Sequence, residues 1–232
     1  MGATHRDRSH HREVIQPEAF EAQFRSWFGA EAGVSAARID CERDLFAEEE
    51  VFVAHAVPER RAEFSTGRWC AREALRALAL PPLAIPMGDR RGPVWPPGVT
   101  GSITHAGGIC VAVVARTIHH PNIGIDILKT AVAQPIVKEA GSILIAPGED
   151  LSLSIPLPVD AAVLRFGAKE SVIKAVSSQM GGWVDFTEIR VRFDPSTFQA
   201  SVAGLEAPVS GWWAPLGEFL LTAARSKLRS MS

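Results

Sequence analysis

The chain reads as an α+β protein. Two long amphipathic helical stretches, near residues 59–80 and 160–179, are each followed by short segments with strand character. Those segments are joined by glycine- or proline-containing turns too short for a parallel crossover, which predicts antiparallel pairing. The first helix is the clearer one. Phe64, Ala71, Leu75 and Leu78 recur at helical spacing, and Arg61, Arg68, Arg72 and Arg76 occupy another face that reads as solvated. The Pro81-Pro82 pair is expected to end it, because proline has no amide to donate and restricts the residue before it.

A loop follows over Gly88-Asp89-Arg90-Arg91-Gly92-Pro93, closing at Trp95-Pro96-Pro97. Residues 99–105 and 109–115 then predict two strands joined through Ala106-Gly107-Gly108, where glycine permits the positive φ of a tight turn. Ile123-Gly124-Ile125-Asp126-Ile127 is a short apolar run that reads as a buried strand carrying one carboxylate. Residues 129–160 contain Pro135, Pro147, Pro156 and Pro158 and predict loops with short helical pieces at most. The second helix is expected to stop at a Gly181-Gly182 cap. Strands are expected at 188–193, with Ile189, Val191 and Phe193 on one face, at 198–202, and at 217–223. There is no sequence repeat, although each half offers a helix followed by strands.

Composition narrows the function classes. At 232 residues the chain can bury a sizeable core, as one large domain or two small ones. A net charge of −2 gives no bulk attraction to nucleic acid, so basic residues must act locally. Cys41, Cys70 and Cys110 are odd in number and widely spaced, which fits reduced thiols better than a disulfide framework. No run is long and apolar enough to span a bilayer and residues 4–13 lack the apolar core of a signal peptide, so a cytoplasmic, non-membrane protein is expected. His5, His10 and His11 fall in what reads as a disordered tail over residues 1–13, and Glu48-Glu49-Glu50 reads as a solvated helix start.

Two segments carry the chemistry. The first is the strand ending at Asp126. The second is Phe166-Gly167-Ala168-Lys169-Glu170-Ser171-Val172-Ile173-Lys174-Ala175, which places Lys169 and Glu170 on a helix with Lys174 one turn on. An acid from a strand end, another from a helix and flanking lysines suit a magnesium ion that holds a polyanionic phosphate. Magnesium takes oxygen ligands and typically only one or two protein carboxylates beside substrate phosphates. Each residue also has a plainer reading: Glu170 and Lys174 as a surface i,i+4 pair, Asp126 as a strand-end cap, His105 as a partner of the adjacent turn.

Further residues join these in a familiar order. Arg60-Arg61-Ala62-Glu63-Phe64, Arg68-Trp69-Cys70-Ala71-Arg72, Trp95-Pro96, Gly101-Ser102-Ile103-Thr104-His105, Gly124-Ile125-Asp126 and Ala168-Lys169-Glu170-Ser171 with Lys174 lie between Leu45 and Phe193. In this arrangement the chain resembles the Sfp-type 4'-phosphopantetheinyl transferases, in particular the enterobactin-type and actinobacterial branch. The resemblance implies a pseudodimer of two similar α+β subdomains, here residues 14–118 and 119–232, with coenzyme A in the cleft between them. It implies transfer of 4'-phosphopantetheine from CoA to a serine of an acyl or peptidyl carrier protein, releasing adenosine 3',5'-bisphosphate. It also implies a monomer, because one chain supplies both sides of the cleft.

Carried over by position, Asp126 and Glu170 hold Mg2+ (Mn2+ being the alternative ion), and the base for the carrier serine is either Glu170 or a metal-bound water. His105, Thr104, Lys169 and Arg90 are expected at CoA phosphates, Lys174 at the pyrophosphate, and Arg60 and Arg68 at the 3'-phosphate. Arginine's planar fork suits terminal phosphate oxygens. Residues 129–158 are the expected carrier-facing edge.

Two positions depart from the pattern. Leu128 stands where many relatives have a third acid and Met87 where close relatives often have a lysine, while Ile173 replaces an aromatic. A catalytically weakened CoA- or carrier-binding relative is therefore the alternative, and an unrelated magnesium-dependent phosphohydrolase using Asp126 and Glu170 a third reading.

Overall fold

A computed structural model of the chain describes residues 15–88, 91–150, 158–177, 179–180 and 183–227. The expected tail with His5, His10 and His11, the Gly181-Gly182 cap and Arg90 lie outside these residues. The first element, helix α1 (Pro17–Phe28), was not expected from the sequence. It starts with proline in its first turn, where the missing amide costs nothing, and buries Phe20, Phe24 and Phe28 at i,i+4 spacing. Strand β1 (Ala32–Arg38) was also missed, because it is buried on both faces and shows no alternation.

A single turn, α2 (Ala47–Glu50), precedes the first long helix, α3 (Pro58–Ala77). Helix α3 ends before the proline pair, at a turn with Ala79 at φ 54°. Strands β2 (Val99–Ala106) and β3 (Ile109–Arg116) form the expected hairpin, with Gly107 and Gly108 at φ 56° and 78°, the left-handed pair a two-residue turn requires. Together β1, β3 and β2 make an antiparallel sheet in that order.

Strand β4 (Asn122–Lys129) opens the second half. Helix α4 (Thr130–Ala140) corrects the expectation of loop: Ala133 and Val137 bury one face of it, and that packing outweighs the hydrogen bond lost at Pro135. Helix α5 (Ala161–Val176) is capped by Asp160, whose carboxylate accepts from the amides of Ala162 (2.8 Å) and Val163 (3.3 Å). Strands β5 (Ile189–Phe193), β6 (Thr197–Val202), β7 (Val209–Leu216) and β8 (Phe219–Ser226) follow. The single strand expected over 217–223 is the start of β8, with Gly217 in the β7–β8 turn at φ 56°, and β7 was not expected from the sequence. The second sheet is antiparallel, in the order β4-β8-β7-β6-β5.

The two halves repeat a unit. In each, an initial strand (β1 or β4) lies beneath a long helix (α3 or α5) and pairs with the second strand of a later hairpin. The crossing is so close in both that only glycine fits: a Cβ on Gly33 would lie 1.9 Å from the Ala74 carbonyl oxygen, and one on Gly124 1.9 Å from that of Ser171. Helix α1 joins the halves on the other side, its phenylalanines packing with Val34, Val113, Ile123, Ile125, Ile127 and Leu221 in one cluster. Among the described residues no helix is long and apolar enough to cross a membrane. The cysteines are unpaired, Cys70 and Cys110 buried and Cys41 exposed.

Candidate active site

The edge strands of the two sheets, β2 and β4, run side by side without a backbone ladder, and hydroxyl groups replace it. The Ile125 amide donates to Ser102 Oγ (3.1 Å) and the Ile127 amide to Thr104 Oγ1 (3.3 Å). These bonds satisfy amides of a buried strand that would otherwise cost about 1–3 kcal/mol each. Thr104 in turn donates to Asp126 Oδ1 at 2.9 Å. Strand alternation explains the arrangement: Ile123, Ile125 and Ile127 enter the shared core, while Gly124 and Asp126 face α5.

Gly124 brings α5 down onto β4, and this delivers Lys174. Its ammonium donates to Asp126 Oδ1 (2.7 Å) and the Ile125 carbonyl (3.1 Å). Asp126 Oδ2 is buried and has no partner. Glu170, one turn before Lys174, lines the same cavity as Asp126. Burial raises its carboxyl pKa above the ordinary value; Lys174 works against this and Asp126 adds to it. This cavity, about 420 Å³, is walled by β2, β4, α4 and α5 and includes His105, Leu128, Val132, Ile136 and Phe166. Lys174 lines a second cavity of about 550 Å³, together with Trp95, Ser102, Ile103, Ile173 and Trp183. Both volumes suit small-molecule sites.

His105 and Glu63 both line the first cavity, and Arg60 pairs with Glu63. Arg60 is half-exposed and donates to Glu63 Oε2 at 3.2 Å, and Glu63 Oε1 lies 3.8 Å from His105 Nδ1. Burial lowers the His105 pKa while Glu63 opposes the shift. Glu63 belongs to this cluster, although only its membership in the arginine motif singled it out in the sequence.

Three expected phosphate contacts have other partners in this structure, and one expectation needs correction. Lys169 is fully buried and donates to Glu149 Oε2 (2.6 Å) and the carbonyls of Leu144 (2.8 Å) and Phe186 (3.0 Å). Thr104 is consumed at the β2–β4 joint. Arg68 is buried in the α3 packing, its Nε donating to the Ile85 carbonyl (2.7 Å) and its guanidinium lying over the Phe64 ring; its Nη2 is buried with no partner, it lines neither cavity, and burial pulls its pKa down to about 10. Finally, Glu49 and Arg72 are not solvated: they form a buried ion pair at 2.7 Å. A helical stripe of arginines looks the same whether it meets water or buried acids, since the acids come from distant segments.

The donor set fits a magnesium ion. Two carboxylates face one cavity, one with a free buried oxygen, and no group of three or more His, Cys, Asp or Glu residues is found among the described residues. One or two carboxylates with water and substrate phosphates are what magnesium takes. Leu128 adds no ligand and packs toward Gly167 on α5.

Comparison with known proteins agrees with this geometry. Residues 48–115 match the model of the 4'-phosphopantetheinyl transferase N-terminal domain, and residues 122–220 that of the 4'-phosphopantetheinyl transferase superfamily. The chain is 38% identical over 192 residues to the 4'-phosphopantetheinyl transferase Svp of Streptomyces mobaraensis, covering 80% of this chain and 76% of that one. It is 37% identical over 147 residues to PptT of Mycobacterium tuberculosis, covering 63% and 64%. With enterobactin synthase component D of Escherichia coli O157:H7 it shares 36% identity over 154 residues, 63% and 70% of the two chains. The chain belongs to the 4'-phosphopantetheinyl transferase superfamily.

Proposed function

We propose that the protein transfers 4'-phosphopantetheine from coenzyme A to a serine hydroxyl of an apo acyl or peptidyl carrier protein. The observation that carries this reading is the convergence of Asp126 and Glu170, from different elements, on one cavity beside the Lys174 ammonium. Asp126 and Glu170 are the residues that would hold Mg2+, which when bound supplies charge neutralisation at the pyrophosphate. Lys174 is placed to neutralise phosphate oxygens once drawn from Asp126. Arg60 and His105, both beside Glu63, suit the nucleotide's remaining phosphate. Positioned charge is the main requirement of phosphoryl transfer, and no covalent enzyme intermediate is needed. Glu170, made more basic by burial, is the candidate acceptor for the serine proton.

The carrier's place is the outer face of α4. Val132 and Ile136 are more than half exposed there, and both line the cavity that holds the two acids. Lys129 stands at its edge, paired with Glu218 at 3.0 Å. Carrier proteins are generally acidic around their modified serine, and an apolar strip with a basic rim complements that surface.

Leu128 and Met87 favour a second reading, a relative that binds CoA or a carrier without turnover; the unrelated phosphohydrolase falls with the family assignment. Incubation with CoA, Mg2+ and an apo carrier decides between them. A mass gain of one phosphopantetheine on the carrier serine, with release of adenosine 3',5'-bisphosphate, supports transfer. CoA binding with no gain supports the second reading.

A further inference from the structure

Behind the helix that carries Glu170 lies a buried carboxylate to which no motif pointed. The Glu149 side chain is 1% exposed. Its Oε2 accepts from the Ala146 amide (3.0 Å) and Lys169 Nζ (2.6 Å), and its Oε1 from Arg165 Nε (3.2 Å) and the Val191 amide (3.1 Å). An ammonium has three protons, and Lys169 places all three inside the protein, on Glu149 and the Leu144 and Phe186 carbonyls. One side chain thus ties α5 to the segment before it and to β5 after it.

The N-terminal half contains the same device. Glu49 Oε2 accepts from the Phe46 amide (3.0 Å) and Arg72 (2.7 Å), and Oε1 from the Ile85 amide (2.8 Å). In both halves the buried glutamate takes the amide three residues upstream, a cation on the long helix and an amide beyond that helix. The residue after the cation differs in its surroundings. After Arg72 comes Glu73, paired on the surface with Arg76; after Lys169 comes Glu170, which faces the cavity.

We propose that Glu149 and Lys169 form a positioning pair that fixes the roll of α5 and thereby the aim of Glu170. Successive helical residues point about 100° apart at 3.6 residues per turn, so anchoring Lys169 on one side sets the direction of its neighbour. Lys169 acts through Glu170 and touches no substrate. The inference rests on the transferase reading above and deepens it.

The test compares the parent with Lys169→Met, Glu149→Gln and the double variant, reading CoA affinity by calorimetry, turnover on an apo carrier per folded molecule, and thermal midpoint. Lys169→Met keeps Glu149 paired with Arg165, so it folds. It is expected to bind CoA within about twofold of the parent and to lose about tenfold in kcat. Glu149→Gln leaves two buried cations uncompensated and is the worst variant; adding Lys169→Met removes one of them and recovers turnover. Glu49→Gln, the control, loses stability without loss of kcat per folded molecule. About tenfold weaker CoA binding by Lys169→Met with kcat kept at saturation would put its ammonium on a phosphate and overturn the proposal. So would a double variant that turns over no better than Glu149→Gln, or losses fully accounted for by the unfolded fraction. If the parent modifies no carrier, the transferase reading fails alone, and CoA affinity of Lys169→Met still decides where its ammonium acts.

Discussion

Gly124→Ala tests the contact on which the site depends. A Cβ at Gly124 would lie 1.9 Å from the Ser171 carbonyl oxygen and 2.5 Å from the Ala175 nitrogen, both backbone atoms that cannot swing aside. Ordinary contact begins at 3.4 Å, so α5 must retreat by about 1.5 Å (3.4 minus 1.9). Ser171 follows Glu170 and Ala175 follows Lys174, so the retreat carries both side chains away from Asp126. Overpacking of this kind costs about 1–3 kcal/mol or more. A misplacement of about 1 Å at a reacting centre can cost about 10²-fold in rate. Gly33→Ala is the matched control: its Cβ would lie 1.9 Å from the Ala74 carbonyl oxygen, an equal clash in the half without the acids. Ala74 is fourteen residues from Arg60 on α3, about 21 Å along the helix at 1.5 Å per residue, so Arg60 is far from the disturbance. The assay is kcat for holo-carrier formation per folded molecule, with stability from denaturant unfolding. Both variants lose stability, and Gly124→Ala alone loses about 10²-fold in kcat. Parental kcat in Gly124→Ala, or an equal activity loss in Gly33→Ala, refutes the reasoning.

Three further outcomes are expected. Asp126→Asn keeps the Thr104 contact but removes the charge beside Lys174, so stability falls by about 1–3 kcal/mol while carrier modification per folded molecule drops by about 10²-fold or more; retained modification in a mass-spectrometric time course would exclude Asp126 from the chemistry. Leu128→Glu supplies a third acid at the cavity and lowers the magnesium concentration for half-maximal rate, at some cost in packing against α5; identical magnesium titrations would show that position 128 does not reach the ion. Glu170 has a folded-state pKa above its ordinary 4.5, so the native chain holds a proton that the unfolded chain has released. Its favourable contribution is present below the unfolded pKa and lost as pH rises through the folded one. Glu170→Gln therefore raises the thermal midpoint over the parent at about pH 8 and not at about pH 4, while abolishing transfer; a gap independent of pH would contradict the shift.

The legible parts of this chain were those where local chemistry repeats at a fixed period or a motif needs a particular atom. The helix over α3, the β2–β3 hairpin with its paired glycines, and the alternation of β5 follow from spacing alone. Asp126, Glu170 and Lys174 were legible through their motif, and the structure brings them to one place. Strand β1 was hidden because burial on both faces erases alternation. Helix α4 was hidden because Pro135 reads as a breaker until Ala133 and Val137 are seen to pack beneath it.

The sequence by itself determined the family, because its motifs depend on residue identity at close spacing; the close helix–strand approach at Gly33 and Gly124 came only from the fold. Only the tertiary structure decided which cations are drawn into the core and which stay outside it. Lys169, Arg68 and Arg72 carry the same charge as Lys174 and Arg60. They differ in what faces them, and Glu149, the Ile85 carbonyl and Glu49 all arrive from segments at least seventeen residues away. A side chain's charge is a property of the residue. Whether that charge is spent inside the protein depends on partners that only folding brings near.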